Sequence, residues 1–262
     1  MRAAIVVTMG VLWALACRGD EPKKEAQPGR LPPREVAVKK AAGPMTMDGK
    51  LDEESWRNAE KLPVDMLHGK GVKVEPAGFG RMTWDATNFY ISFEVLDKDV
   101  RAEGASRDNG NIVPPNDVIE VFLDVNNDPE HFMELHVNPL NTFNDLFIVR
   151  PRAESPLNQR IRYGIMFMPE WGMASYETGA QVQGTLNNSN DVDTGWTCEM
   201  LLPFSSLLIP LDLKTPGTGD VWRVHLVVQD GGSSNRYVNW SPDYGGWYHH
   251  CFDEWGRVRF AP

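Results

Sequence analysis

The sequence predicts an all-β fold, a single large β-sandwich with one short helix near its N-terminus. Apolar and polar residues alternate in several short runs, most clearly in the run that puts Phe89, Ile91, Phe93 and Val95 on one face. Asn, Asp, Gly and Pro separate these runs, as at residues 126–129. Many short strands with turn residues between them are typical of a sandwich or barrel.

The helix is expected at residues 52–60, where Asp52 can cap the first turn and Trp56 and Ala59 share a face, with a further turn at 203–207. Alternation predicts four further strands. Their inward residues are Ile119, Val121 and Leu123; Met133, Leu135 and Val137; Tyr163, Ile165 and Phe167; and Trp222, Val224, Leu226 and Val228. Trp84 and Trp196 also lie in strand patterns, so we expect them in the core.

The first sixteen residues differ from the rest of the chain. Arg2 gives a positive start, residues 3–15 are almost wholly apolar, and Ala16 is a small residue before Cys17. This pattern is typical of a secretory signal and is too short for a comfortable transmembrane helix. A cysteine directly after Leu15 and Ala16 resembles a lipobox. We therefore expect a signal peptide at 1–16 and lipidation of Cys17, with an ordinary cleaved signal as the alternative.

Residues 17–34 read as the lipidated cysteine followed by a tether, since this stretch is rich in Pro, Lys, Glu and Gly. We expect the tether to be extended and mobile, and to hold a domain at 35–262 away from the membrane surface. The lipid-anchored protein is expected at the bacterial cell envelope, at the outer membrane. The chain has a net charge of -10 and no Lys/Arg cluster, which argues against nucleic acid as a partner.

Two further cysteines, Cys198 and Cys251, lie in the expected domain. An exported protein permits a disulfide, but two cysteines alone define no framework. The two residues can form a bridge or stay as buried free thiols. The strand pattern around Cys198 favours the free thiol.

Three tryptophans lie between 240 and 255, in a stretch too rich in Gly and Pro to form one helix or strand. A ring on a loop offers a flat apolar face at small entropic cost, and the apolar face of a pyranose matches it. Trp247 and Tyr248 are the main candidates for stacking. Trp171, bordered by glycine, is expected to complete a pair with Trp247, and Trp240 is a further candidate. Trp255 leads into the closing strand and is expected to be structural.

Polar side chains near such rings would fix the orientation of a ligand. Arg150 is one candidate, because a guanidinium presents five donors, and Asn144 and Asn239 are two more. An ordinary surface or structural role is the alternative for each of the three.

Six motifs, taken in order, resemble the family 9 carbohydrate-binding module and its relatives, a DOMON-like, jelly-roll type β-sandwich. They cover nearly all of 35–262 and lie at 44–59, 84–90, 116–124, 133–145, 195–204 and 240–260. The resemblance implies a non-catalytic module that binds sugar residues or polysaccharide ends between aromatic rings, accessory to polysaccharide binding or catabolism.

Calcium is the one cofactor that the chain suggests. Asp124, Asn126 and Asp128 supply side-chain oxygens within five residues, and calcium prefers six to eight oxygens. The resemblance also implies structural calcium, although no motif assigns its ligands. A solvated Asn/Asp turn is the alternative.

Parts of the sequence are compatible with three other functions. A glycoside hydrolase is disfavoured because the pair Glu120 and Asp124 does not match the Glu-x-Asp-x-x-Glu strand of the family 16 enzymes, and serine-elbow and zinc-helix motifs are absent. A DOMON-type haem module could use methionine ligands, for which Met133, Met166, Met168 and Met173 are candidates. A surface lipoprotein that binds a protein partner is the third possibility, and such a protein would not bind free sugars.

Overall fold

A computed structural model describes residues 29–104, 116–128, 130–150, 166–168, 171–231, 236–245 and 251–262. Thirteen strands and two short α-helices lie in this part of the chain. In chain order they are β1 Glu35–Val38, α1 Glu54–Asn58, β2 Leu62–Leu67, β3 Val72–Trp84, β4 Asn88–Leu96, β5 Val118–Asp124, β6 His131–Val137, β7 Phe143–Val149, β8 Met166–Met168, β9 Glu177–Gln183, β10 Gly195–Pro203, α2 Phe204–Leu208, β11 Val221–Asp230, β12 Arg236–Asn239 and β13 Gly256–Phe260. The predicted all-β class is confirmed.

The strands form one continuous hydrogen-bonded sheet that folds over on itself. Its order is β8-β7-β6-β5-β11-β12-β2-β3-β4-β10-β9, and β13 joins at the side by pairing with β11 and β1. The named pairs are antiparallel except β1 with β13. A Cβ added to Gly80 on β3 would lie 2.6 Å from Leu226 on β11, so the two halves of the sheet face each other closely across the core.

The main core lies between these two halves and follows the alternation in the sequence. Phe89, Ile91 and Phe93 are fully buried, and Val95 is nearly so. Trp84, Trp196 and Trp222 are in the core, as expected for rings in strand patterns. The described inward residues of β5, β6 and β11 join the same cluster. Tyr163 and Ile165 lie outside the described residues.

The short helix is present but smaller than predicted. It spans Glu54–Asn58, its N-cap is Glu53, and that residue makes no side-chain capping bond. Asp52, the predicted cap, instead accepts a hydrogen bond at its backbone oxygen from the Arg57 guanidinium. The helix ends early because Ala59 is already extended, leading the chain towards β2. None of the helices in the described part of the chain is long and apolar enough to cross a membrane.

A buried carboxylate attaches the N-terminal part of the domain to the sheet. Glu199 on β10 is fully buried. One of its oxygens accepts the backbone N–H groups of Asp48 (3.0 Å) and Gly49 (2.6 Å), and the other accepts the indole N–H of Trp56 (2.7 Å). Gly49 adopts φ +83°, a conformation that favours glycine. Three donors therefore converge on one side chain, which fixes both the turn before α1 and α1 itself.

The end of the predicted tether lies against the domain. Arg30 forms an ion pair with Glu254 (3.1 Å) and covers the Tyr244 ring at 4.5 Å. Arg34 donates hydrogen bonds to the Pro63 carbonyl (2.7 Å) and the Asp65 carboxylate (2.5 Å). Contact with the domain therefore begins by Arg30, four residues earlier than the boundary predicted from composition.

Cys198 is a buried free thiol, so it does not pair with Cys251. Burial raises the pKa of this thiol well above its ordinary value, which keeps it protonated and unreactive. Cys17, the predicted lipidation site, lies outside the described residues.

Glu199→Gln should destabilise the domain by about 1–3 kcal/mol, because the Gln amide group would meet a backbone or indole donor where a carboxylate oxygen now accepts. Urea denaturation measures the change. Glu177→Gln, an exposed substitution on the neighbouring strand β9, is the matched control and should shift the free energy of unfolding by less than about 0.5 kcal/mol. Equal midpoints for the two variants would show that the Glu199 contacts do not contribute.

Candidate functional site

The sheet carries a polar surface on the side of β5, β6, β7, β11 and β12 that faces away from the main core. Because strand residues alternate between faces, the partners of the core residues all point this way. We call this surface the polar face; its polar side chains, most of them buried, include Glu120, Glu134, His136, Asn144, His225 and Asn239.

Strand register places several of these side chains in one row. Asn144 lies opposite His136, and His136 lies opposite Glu120. The row continues from Glu120 through Val227 to Asn239. Residues far apart in sequence therefore meet across five strands.

Asn144, His136 and Glu134 form a hydrogen-bonded chain at one end of the polar face. The Asn144 amide lies 2.9 Å from Nδ1 of His136, and Nε2 of His136 lies 3.0 Å from the Glu134 carboxylate. A neutral imidazole protonated at Nε2 satisfies both contacts, by accepting from the amide and donating to the carboxylate. These three hydrogen-bonded side chains can rearrange so that they donate a hydrogen bond to an added hydroxyl group or accept one from it.

A second polar group lies at the other end, around the buried carboxylate of Asp243. It accepts a hydrogen bond from the Asn239 amide (3.1 Å) and lies 2.8 Å from Nδ1 of His68. His225 on β11 is 3.8 Å away. The loop after β12 thus brings a carboxylate to the edge of the face, between two imidazole rings.

Burial changes the protonation of the carboxylate in the middle of the row. It raises the pKa of Glu120 to about 7, against a smaller opposing effect of His136. Burial acts to lower the pKa of His136, but the Glu134 carboxylate beside it outweighs burial and raises that pKa. Near neutral pH the row therefore holds a mixture of proton donors and acceptors.

Aromatic side chains fill the area next to these polar groups. Phe122, Phe132, Phe252 and Trp255 form a second apolar cluster there. Trp255 stacks almost parallel to His225, with ring centroids 6.2 Å apart. It is 1% exposed, which agrees with the structural role predicted for it.

The polar residues predicted for a binding site fall on one surface. Asn144 and Asn239 lie in the row, and the Arg150 guanidinium covers Phe252 at 5.4 Å. Asn239 is fully buried against Asp243, so it can act on a ligand only through that carboxylate.

The predicted aromatic residues are distributed differently. Trp171 is half-buried and packs against Phe147, which belongs to the main core, so its ring rests on the other side of β7 from Asn144. Trp247 and Tyr248 lie outside the described residues.

Trp240 is a core residue, and the prediction that its ring is available for stacking is wrong. It is 1% exposed, its backbone N–H donates to Leu226, and its ring packs so closely on Gly256 that a Cβ there would overlap it. The Ser-Pro turn follows the ring and does not expose it.

The sequence pointed to Asp243 as a polar residue beside the aromatic loop, but it did not assign Glu120, Glu134, His136 or His68 to a sugar-binding site. A signal for three of them was present: alternation that assigns Ile119, Met133 and Leu135 to the core leaves Glu120, Glu134 and His136 together on the opposite face. Asp243 and His68 follow strands and come together only through the pairing of β12 with β2.

The predicted calcium turn is internally hydrogen bonded. Asn126 donates to Asp128 (2.6 Å), and Asp128 accepts the backbone N–H groups of Glu130 and His131 (2.8 Å each). Burial favours a higher pKa for Asp128, but these bonds and His131 lower it to about 2.

Asp124 beside this turn is buried, which raises its pKa to about 7, and one of its oxygens has no hydrogen-bond partner among the described residues. The described residues include no group of three or more His, Cys, Asp or Glu side chains placed to hold a metal. A single free carboxylate oxygen is fewer than the six to eight that calcium needs. Calcium at this turn stays a prediction.

The family model for the carbohydrate family 9 binding domain-like proteins matches residues 47–261. The chain belongs to this family. No curated protein matches the chain in sequence. The family 9 domain therefore extends from the turn held by Glu199 to the last strand.

Solved structures share its fold. A candidate carbohydrate-binding protein from Bacteroides uniformis is 16% identical, with a TM-score of 0.61, and the match covers 87% of this chain and 99% of that one. A family 9 module from Caldicellulosiruptor kristjanssonii in complex with cellotriose is 18% identical, with a TM-score of 0.53 and coverage of 87% and 94%. The structure of a family 9 module from the same organism in complex with glucose is 18% identical, with a TM-score of 0.54, and the match covers 87% of this chain and 95% of that one.

The family 9 domain should lose stability as the pH rises from about 5 to 8. The pKa values of Glu120, Asp124 and Glu254 are raised by burial to about 7, so the folded state binds more protons than the unfolded state in this range. Urea denaturation at a series of pH values measures the effect, and Glu120→Gln should flatten the profile. A free energy of unfolding that increases from pH 5 to 8 would contradict this assignment.

Trp240→Ala should cost about 3–5 kcal/mol of stability, the range for removing a large buried ring. Thermal and urea denaturation measure it. Trp171→Ala is the comparison, and its half-buried ring should cost less. If Trp240→Ala left the unfolding transition in place, the ring would not belong to the core.

Proposed function

We propose that this chain is a non-catalytic lipoprotein that binds sugar residues or polysaccharide ends on its polar face, accessory to polysaccharide binding or catabolism at the outer membrane. The observation that carries the proposal is the row of amide, imidazole and carboxylate groups across β7, β6 and β5, in a family 9 domain. Relatives with the same fold were solved with cellotriose and glucose.

The chemistry of the row suits hydroxyl groups. Each sugar hydroxyl can donate one hydrogen bond and accept others, so its site needs both kinds of partner. Asn144, His136 and Glu134 supply both within one bonded chain. Because these groups are already oriented by one another, a sugar would meet a preorganised surface.

We assign aromatic stacking to Trp247 and Tyr248. The described residues on either side of them in the sequence lie at the polar face: Asp243 is bonded to Asn239, and the ring of Phe252 packs on Phe132. Trp240 is excluded by burial, and Trp171 packs on the other side of β7.

The membrane anchor rests on the sequence of residues 1–17, with Cys17 as the lipid-bearing residue. Arg30 contacts the domain, so only the residues before it can serve as the tether. In this proposal the tether holds the domain away from the membrane surface.

Calorimetric titration of the soluble chain from Arg18 onward with glucose, cellotriose and other oligosaccharides tests the proposal. Asn144→Ala and Trp247→Ala should each weaken binding by about 10-fold or more, the equivalent of about 1.4 kcal/mol, with an unchanged unfolding transition. Glu177→Gln on β9 is the control and should bind as the parent does. If none of the sugars binds at a concentration of about 10 mM, the proposal is refuted and a protein partner is favoured.

A further inference from the structure

A second polar pocket lies on the opposite side of the sandwich from the polar face. Its volume is about 280 Å³, and it opens on the outer surface of β3, β4, β9 and β10. We call it the Arg81 pocket; its principal lining residues are Lys50, Arg81, Glu94, Gln181, Gln183 and Thr197. None of these residues belongs to the polar face.

Strand register builds the floor of this pocket. Thr197 on β10 lies opposite Glu94 on β4 and opposite Gln181 on β9. Its hydroxyl donates to the Gly49 carbonyl (2.6 Å), and the Gln183 amide donates to the Thr197 hydroxyl (3.0 Å). The floor is therefore ordered by its own hydrogen bonds.

The turn at 49–51 forms one wall. Its position is fixed because the Gly49 N–H binds the buried Glu199 carboxylate. Leu51 in the same turn has φ +30°, an unusual value for a residue with a side chain. The hydrogen bond to Glu199 on β10 therefore fixes the position of this wall relative to the sheet.

Lys50 and Arg81 line the pocket, and Lys61 lies next to it beside Glu94. Glu94 is the partner of two of these cations, Lys61 (2.9 Å) and Arg81 (3.4 Å). Burial favours a higher pKa for Glu94, but Lys61 and Arg81 together lower it, so the carboxylate stays ionised. Lys50 at the rim is paired with Asp48 (2.6 Å), and Asp52 and Glu199 also act on it electrostatically.

The guanidinium of Arg81 also has unused hydrogen-bonding capacity. Its side chain is 15% exposed, and its Nη1 atom is buried with no acceptor among the described residues. A buried donor without an acceptor costs free energy, and a small rotation of the guanidinium that brought Nη1 to a ligand oxygen in the pocket would recover that cost. A carboxylate or phosphate group is the strongest such acceptor for a guanidinium.

We propose that the Arg81 pocket is a second binding site, which takes a compact oxyanion through Arg81, with Lys50 at its rim. Gln181, Gln183 and Thr197 are placed to contact hydroxyl groups of the same molecule. The carboxylate of an acidic monosaccharide and free inorganic phosphate share this chemistry. The site does not depend on sugar binding at the polar face.

Calorimetric titrations of the soluble chain with glucuronate, inorganic phosphate and glucose, at low ionic strength, test this site. Arg81→Gln should weaken binding of the oxyanion by about 10-fold or more, and Lys50→Gln by about 2- to 3-fold. Glu94→Gln should tighten it, since the competing carboxylate is removed while both cations stay. A variant that merely disturbed the fold would not gain affinity. Should Arg81→Gln fail to fold, the opposite signs for Lys50→Gln and Glu94→Gln decide the question.

Arg257→Gln, which removes an exposed cation paired with Glu35 (3.0 Å) on distant strands, is the matched control and should leave binding unchanged. Asn144→Ala on the polar face should leave the binding of inorganic phosphate unchanged. Binding of glucuronate alone identifies an acidic sugar as the ligand, and binding of phosphate with equal affinity identifies any small oxyanion. If neither binds at about 20 mM, or if Arg81→Gln and Glu94→Gln both bind like the parent, the proposal is wrong.

Discussion

The hydrogen bonds of the buried Glu199 carboxylate hold the turn at residues 48–49 and the short helix α1 against the sheet. The side chain fixes the turn at Asp48 and Gly49, and through Trp56 it fixes α1. Gly179 on β9 makes this approach possible, since a Cβ there would overlap the Met47 carbonyl. Burying a carboxylate is costly, and the three donors offset only part of that cost, because burial still raises the pKa of Glu199 to about 7. The same turn forms a wall of the Arg81 pocket, so one structural contact also shapes a candidate site.

Both candidate sites come from the alternation of the strands. Inward residues of β5 and β6 fill the main core, which leaves Glu120, Glu134 and His136 to the polar face. In the other half of the sheet the same rule leaves Arg81 and Glu94 on the outer surface. Parts of both outer surfaces of the sandwich are covered. Polar side chains there are partly removed from water, which shifts their pKa values and strengthens their hydrogen bonds.

Much of the fold could be predicted because a period of two residues is a local property. It placed Phe89, Ile91 and Phe93 in the core and identified the class. The site was harder, because contacts such as Asn144 with His136 or Asp243 with His68 depend on strand order and register. Composition also misled at Trp240, where a Gly- and Pro-rich neighbourhood suggested an open loop, although Gly256 provides the space in which its ring is buried.

The parallel pairing of the first strand with the last has a mechanical consequence. Among the described strands β1 pairs with β13, from the pair Glu35 and Arg257 to the pair Val38 and Phe260, and β13 pairs in turn with β11 of the polar face. The Trp84 indole adds one hydrogen bond, to the Val38 carbonyl. If the chain is anchored before Gly29 while a polymer is held on that face, tension passes through β11, β13 and β1. The bonds between these strands lie across the direction of pull and bear it together, so the domain would resist as a unit in shear instead of peeling open one bond at a time.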